Sequence, residues 1–450
     1  MTLPIQRVRP DFAGMIAIES IRARLNQSNG FGILVRIVAV IGFAYLAKKA
    51  FIDPFNGVDF RYLWTAGRIW SEGKNAYGPL YSMLFAETFG YAGYPWFYPP
   101  NWFFVAVPLS LLPVIKAELV WRCVNFALIS AALGLGFGIL RRCRPQRELL
   151  TEFMILAAYV FCLQATSIVV SIGQTTVIPT LGLMLLAFGT SSRRPVSSIL
   201  GLMLLALKPQ FAVAPVILLF ALGIGRREIV IGIILTLIAC LPALLVGGPV
   251  ETALGFLNNL KEYPDLPMFT MGLDHLFPGA ASTQVSSISY AFLAALAGCI
   301  GLALRSHWHA EVKEPEDRIR VLLLLLPAIN FVFLPVHHYD AVMLLPVALI
   351  CLGGAFRRRP LVLLSLILSF RPAYIAWLGA LAGWHWDPLT VSSLAYLLLL
   401  AGAIYFLVDL VRDKSGDAGL SSLSAKLAKG QPNLDSGLRS VGSTVNRVSN

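Results

Sequence analysis

Long apolar runs separated by short polar or basic intervals dominate this chain from residue 33 to residue 411. A hydrocarbon core of ~30 Å takes about 20 apolar residues to cross as a helix. Runs of that order lie at 33–52, 118–140, 152–172, 175–191, 228–247, 286–304, 319–336, 338–355, 360–379 and 391–411. Two shorter runs, 196–207 and 209–223, are parted only by Lys208, and counting each as a crossing predicts twelve transmembrane helices. At 1.5 Å per residue the first of these covers only about 18 Å, which is tolerable where a helix borders protein or a watery cavity. Lys208 is therefore expected near the outer mouth of an intramembrane cleft. The run 102–115 is bounded by Pro99-Pro100 and Pro113 and is too short to cross, which predicts a re-entrant or interfacial helix.

The expected fold is an all-α polytopic membrane bundle of about twelve helices, with re-entrant and juxtamembrane helices on the extracytoplasmic side. Its parts are an N-terminal segment, 1–32, a transmembrane domain, 33–411, and a Ser- and Gly-rich tail, 412–450, expected to be flexible. Two outer segments, 53–117 and 248–285, are expected to roof a lateral cleft.

Loop charge sets the orientation. Segments on one side hold 25 Lys and Arg, whereas 53–101, 248–285 and 380–390 together hold 4. Basic loops stay in the cytoplasm, so both termini are expected there, in an integral protein of the plasma membrane. If 102–115 crossed, Arg141, Arg142, Arg144 and Arg147 would fall outside, against that bias.

Composition agrees. Only 13% of residues are charged, the apolar share is 57% and the mean hydropathy is +0.72; a soluble domain carries roughly 25% charged residues. That excludes a soluble multidomain enzyme, and disorder outside the tail. The net charge of +12 is read as topology, and no nucleic-acid partner is expected. Six cysteines form no C-x-x-C pair, which argues for packing rather than zinc or disulfides. No Gly-rich phosphate loop follows a strand, so nothing predicts an enzyme of nucleotide sugars or ATP.

Ionisable residues within or beside membrane spans are costly and mark function by default. Four polar clusters fall on the expected outer side: Asp59-Phe60-Arg61 with Trp64 and Arg68, Tyr98-Pro99-Pro100, Gly173-Gln174 opposite Lys208-Pro209-Gln210, and His337-His338-Tyr339-Asp340. Their order, together with Ala66-Gly67 and the run Pro108-Leu109 to Leu112-Pro113, resembles glycosyltransferase family 87 over about residues 33–355. The resemblance implies a GT-C-class bundle related to polyprenol-phosphate-mannose-dependent mannosyltransferases. It implies an inverting transfer of a sugar, mannose among the candidates, from a polyprenyl phosphate to an envelope glycan or lipid-linked acceptor. The expected partners are that donor, the glycan or glycolipid acceptor and membrane lipid. No cofactor is expected, and no obligatory metal. A transporter or flippase of lipid-linked sugars is the rival reading; it more often shows pseudo-repeats with paired broken helices.

Within that reaction Asp59 is the expected catalytic base, against an N-cap or a salt bridge to Arg61 as the bland alternatives. Lys208, His337, His338 and Arg61 are expected on the donor phosphate; a snorkelling anchor is the bland alternative for Lys208, and the break in apolarity at Lys208-Pro209 favours the phosphate reading. Gln174, Gln210, Tyr98, Tyr339 and Asp340 are expected to position substrate, with helix capping the alternative for Gln174. Trp64 and Trp96 read as sugar platforms or as interfacial anchors. Arg371 reads as a partner for a carboxylate or for phosphate, and Trp384-His385-Trp386-Asp387 as a lid.

Overall fold

A computed structural model describes residues 29–53, 57–143, 149–262, 283–310, 312, 314–333, 336–352, 360–384 and 387–408. Most of the expected N-terminal segment, the tail 412–450, and His385 and Trp386 of the expected lid lie outside the described residues. Two units divide at Gly402; the first holds every site discussed below, and the second begins at Ala403, within the last helix, Pro388–Val408.

The described chain is helical, with no strand. The helices are α1 (Asn29–Phe51), α2 (Val58–Ser71), α3 (Pro79–Phe89), α4 (Phe103–Ser110), α5 (Val114–Cys143), α6 (Leu149–Cys162), α7 (Gln164–Ile172), α8 (Val177–Ser191), α9 (Pro195–Leu205) and α10 (Gln210–Leu222). They continue with α11 (Arg226–Gly247), α12 (Pro249–Glu262), α13 (Thr283–Ala310), α14 (Pro315–Phe333), α15 (Leu345–Leu352), α16 (Pro360–Phe370), α17 (Pro372–Leu381) and α18 (Pro388–Val408). Short 3₁₀ turns cover Pro100–Trp102 and His338–Leu344.

Among the described residues, four helices (α1, α5, α11 and α18) are long and apolar enough to cross a membrane, and two bent pairs raise the number to six. The expected spans 175–191, 196–207, 209–223 and 338–355 are instead apolar helices of 10–17 residues. Helix length and composition thus support four to six spans and do not establish twelve. Length sets these helices apart, and burial adds a second distinction. Nearly every residue of α8 is buried, as is the run Val321–Phe331 of α14. These helices are apolar all round because protein surrounds them. On α1 and α11 the apolar side chains face outward instead: Ile41 is 62% exposed and Leu245 76%. Apolar exposure on that scale matches lipid, not water.

Both bent pairs have a local account. Between α16 and α17 the chain turns by 92° at Arg371-Pro372, where proline removes the helical N–H and keeps its predecessor extended. Between α6 and α7 it turns by 53° around Leu163 with no proline. That break frees the Cys162 carbonyl, and Arg371 Nε donates to it at 3.1 Å. Among the described residues Arg371 pairs with no carboxylate; it staples one broken span to the other.

The segment 58–110 folds into a cap of short helices. On α2, Phe60, Leu63, Ala66, Ile69 and Trp70 share a buried face with Tyr77, Tyr81, Trp96 and Trp102. The helix packs so closely on α4 that a Cβ at Gly67 would overlap the Ala106 carbonyl. The expected short helix at 102–115 is seen as the 3₁₀ turn and α4, whose 8 residues cannot cross. Trp96 is 1% exposed and packs in this core, so it is no sugar platform. Trp64 is pinned by its indole N–H to the Leu112 carbonyl at 3.1 Å.

Candidate functional site

Four chain breaks converge beneath that cap: the start of α2, the turn 173–176 between α7 and α8, the turn 206–209 between α9 and α10, and the segment before α15. Each leaves backbone outside a helix, where polar side chains are needed to satisfy it. Expected residues from each of the four clusters meet there.

Asp59 lies in the first turn of α2. The N-cap is Gly57, at φ 50°, and no side chain caps the helix. Arg61 points elsewhere: its guanidinium meets Glu118 at 3.6 Å and the Phe89 ring at 5.1 Å. Neither bland role for Asp59 is therefore filled. Its Oδ2 accepts the Gln174 amide N–H at 2.9 Å. The carboxylate is deeply set yet keeps partial surface access. Burial pushes its pKa up to about 6; the Lys208 charge and the Gln174 hydrogen bond oppose the rise, and Asp340 adds to it. The same cause holds the Tyr98 phenol well above its ordinary range, so it stays a neutral donor.

Gln174 is 2% exposed and engaged at both ends of its amide. Its carbonyl oxygen accepts from the Tyr98 hydroxyl at 3.0 Å, the Thr175 hydroxyl at 3.0 Å and the Thr175 backbone N–H at 2.6 Å. Gly173, at φ 73°, makes the turn possible, and Trp121 donates to its carbonyl at 2.7 Å. Gln174 thus orients Asp59 and Tyr98 from behind.

Beside it lies a buried ion pair. Lys208 Nζ is 3.2 Å from Asp340 Oδ1, with both side chains under 5% exposed. Thr176 joins them, accepting from Lys208 at 2.7 Å and donating to Asp340 Oδ1 at 2.8 Å. Asp340 Oδ2 accepts the His337 backbone N–H at 2.9 Å, while the His337 ring accepts the Asp340 backbone N–H. That contact assigns one ring nitrogen as acceptor and the other as donor. Lys208 also sits over the Tyr339 ring, 5.3 Å from its centroid, and Tyr339 lies between His337 and His338. Lys208 is therefore no snorkelling anchor. Two of its three N–H donors are used within the cluster.

The structure brings together Asp59, Tyr98, Gln174, Lys208, His337, His338, Tyr339 and Asp340. Gln210 opens α10 two residues beyond Lys208. Arg61 is held at the rim by Glu118, and Trp384 is 59% exposed. Thr175 and Thr176 were not foreseen; they follow Gln174 directly, but their place at the head of an apolar run reads as the start of a span. Among the described residues no group of three His, Cys, Asp or Glu side chains is placed to hold a metal ion.

Against known proteins, the model of glycosyltransferase family 87 matches residues 96–335, just over half of the chain. The match takes in Tyr98, Gln174, Lys208 and Gln210, and stops short of Asp59 on one side and His337 on the other. No curated protein and no solved structure matches the chain.

Proposed function

The chain belongs to glycosyltransferase family 87, and from that premise we propose that it moves a sugar from a polyprenyl phosphate to a hydroxyl of an envelope glycan or lipid-linked acceptor. Mannose is among the candidate sugars. The observation that carries the reading is the deeply set, partly accessible Asp59 held by Gln174 beside the Lys208–Thr176–Asp340 network. A base and a site of fixed positive charge are the two elements the transfer needs.

In the proposed step Asp59 Oδ1 takes the proton of the acceptor hydroxyl as its oxygen attacks the anomeric carbon. The bond from that carbon to the phosphate oxygen breaks on the opposite face, and the phosphate leaves with the electron pair, so the centre inverts. A carboxyl of pKa about 6 is a stronger base than a free one and still mostly ionised near neutrality. The third N–H of Lys208, the donor nitrogen of the His337 ring, and His338 receive the departing phosphate's charge. Tyr339 and Gln210 face the substrate, and Asp340 fixes Lys208 and His337. Arg61, 3.6 Å from Glu118 at the rim, is the outermost member of the proposed donor contact.

Loop charge supports an extracytoplasmic site with both termini in the cytoplasm, in the plasma membrane. Broken helices favour a flippase in general, but the two bent pairs here are tied to each other through Arg371 and Cys162. The test is incubation of purified protein with a panel of polyprenyl-phosphate sugars and membrane extract, followed by product mass analysis. Gain of one sugar by an acceptor, with release of polyprenyl phosphate, is expected. Movement of the lipid across the bilayer without transfer from any donor would overturn the reading in favour of the flippase.

A further inference from the structure

Three helices lead from the Asp59 cluster to a cavity. α8 starts beside Thr176 and ends at Ser191, α9 returns from Pro195 towards Lys208, and α10 leaves again from Gln210 to Leu222. The 15 residues of α8, at 1.5 Å each, put about 22 Å between the two ends. At the far end a cavity of about 380 Å³ is lined by Arg193, Arg194, Arg318, Glu228, Ser198 and Trp308, among others.

Three guanidinium groups face one carboxylate there. Among the described residues no carboxylate forms an ion pair with any of the three. Arg194 lies over the Phe188 ring at 5.6 Å, and Arg318 Nε donates to the Val312 carbonyl at 2.7 Å. Glu228 stands in the first turn of α11, where it offsets that helix's dipole. The N-termini of α9 and α11 both open on the cavity, and at neither does a side chain cap the helix. Uncapped N–H groups in the first turn of α11, and in the first turn of α9 after the imino Pro195, favour an anion there.

The backbone supplies an independent sign. Arg193 has φ 53°, and among the described residues it is the one non-glycine residue in the left-handed region. Glycine would adopt that turn without strain. Keeping an arginine there places a guanidinium on the cavity at a conformational cost, a pattern found at ligand sites.

We propose that this cavity binds a phosphate-class anion, carried either by an anionic lipid headgroup or by a small soluble phosphate, through Arg193, Arg194 and Arg318. Guanidinium groups match phosphate oxygens two at a time. The site is separate from the sugar-transfer site, and the inference does not depend on how that site works.

The full-length protein is tested in two arms. In detergent, inorganic phosphate and pyrophosphate are titrated by calorimetry. In nanodiscs of phosphatidylcholine doped with phosphatidylglycerol, lipid retained after release is counted by native mass spectrometry. Arg193→Gly removes the guanidinium while relieving the turn, so it keeps the fold; Arg318→Gln is the second variant. Each should weaken binding by about tenfold or more, the loss expected for one charged contact. Arg227→Gln, exposed and outside the lining, should change it by less than about twofold. Wild-type binding in the first arm assigns a soluble phosphate, and binding in the second a lipid headgroup. Absence of binding in both arms, equal binding by wild type and Arg193→Gly, or an equal loss in Arg227→Gln would each overturn the proposal.

Discussion

Replacing Gln174 with methionine isolates what holds the proposed base in its working state. The substitution keeps the length and most of the volume, but it removes the N–H that Asp59 Oδ2 accepts at 2.9 Å. A hydrogen bond to a charged group contributes about 1.5–3 kcal/mol, and one pKa unit is about 1.4 kcal/mol. Losing it raises the Asp59 pKa by about one to two units, from about 6 towards 7 or 8. The sign follows directly: the carboxylate is the active form, so activity falls as pH drops through that value. At pH 7 the ionised fraction goes from about nine-tenths to between a half and a tenth, which predicts a two- to tenfold drop in kcat/KM. Above about pH 9 the loss should vanish, apart from any effect of freeing Tyr98. The assay is kcat/KM against pH for purified wild type and variant. An acid limb left near pH 6 in Gln174→Met, or a loss equal at every pH, would refute the idea that Gln174 tunes Asp59.

Lys208→Met should destabilise the protein by about 3–5 kcal/mol, because it leaves Asp340 buried and unpaired; the double variant with Asp340→Leu should recover much of that loss in a thermal-unfolding series. Gly201→Leu should prevent assembly of a stable fold, since even a Cβ there would overlap the Leu186 backbone of α8; size-exclusion elution in detergent reads the outcome. Transfer should survive EDTA, as the proposed step assigns nothing to a metal, and a loss restored by added Mg²⁺ or Mn²⁺ would contradict it.

Much of the cluster was legible because each of its members breaks an apolar pattern. Lys208-Pro209 interrupts a long apolar stretch, Gly173-Gln174 punctuates another, and Tyr339-Asp340 precedes a third. A carboxylate, an ammonium and an amide in such places need partners, and the chain supplies them to one another. Their pairing was not legible. Lys208 and Asp340 are 132 residues apart, and Arg61 and Glu118 are 57 apart. Nothing local announces either pair. Thr175 and Thr176 were absorbed into a span because hydroxyls are cheap enough to sit in helices. The span count was the least legible part for a related reason: apolar length distinguishes helix from loop, but not lipid from protein as the neighbour. The central helix α8 is as apolar as the lipid-facing α11. The bend at Arg371 has a proline to mark it, whereas the bend at Leu163 has none, and only its freed carbonyl reveals it.

The central claim is that Asp59 accepts the proton in sugar transfer, and single-turnover transfer by Asp59→Asn, measured alongside donor binding, tests it most directly. The amide keeps the shape and can still meet Gln174 after rotating, but it cannot take a proton at neutral pH. General-base catalysis contributes about 10²–10⁴ in rate, so transfer should fall by that factor while the donor's dissociation constant changes less than about threefold. Transfer within a few-fold of wild type, with donor binding intact, would remove Asp59 from the reaction and contradict the account.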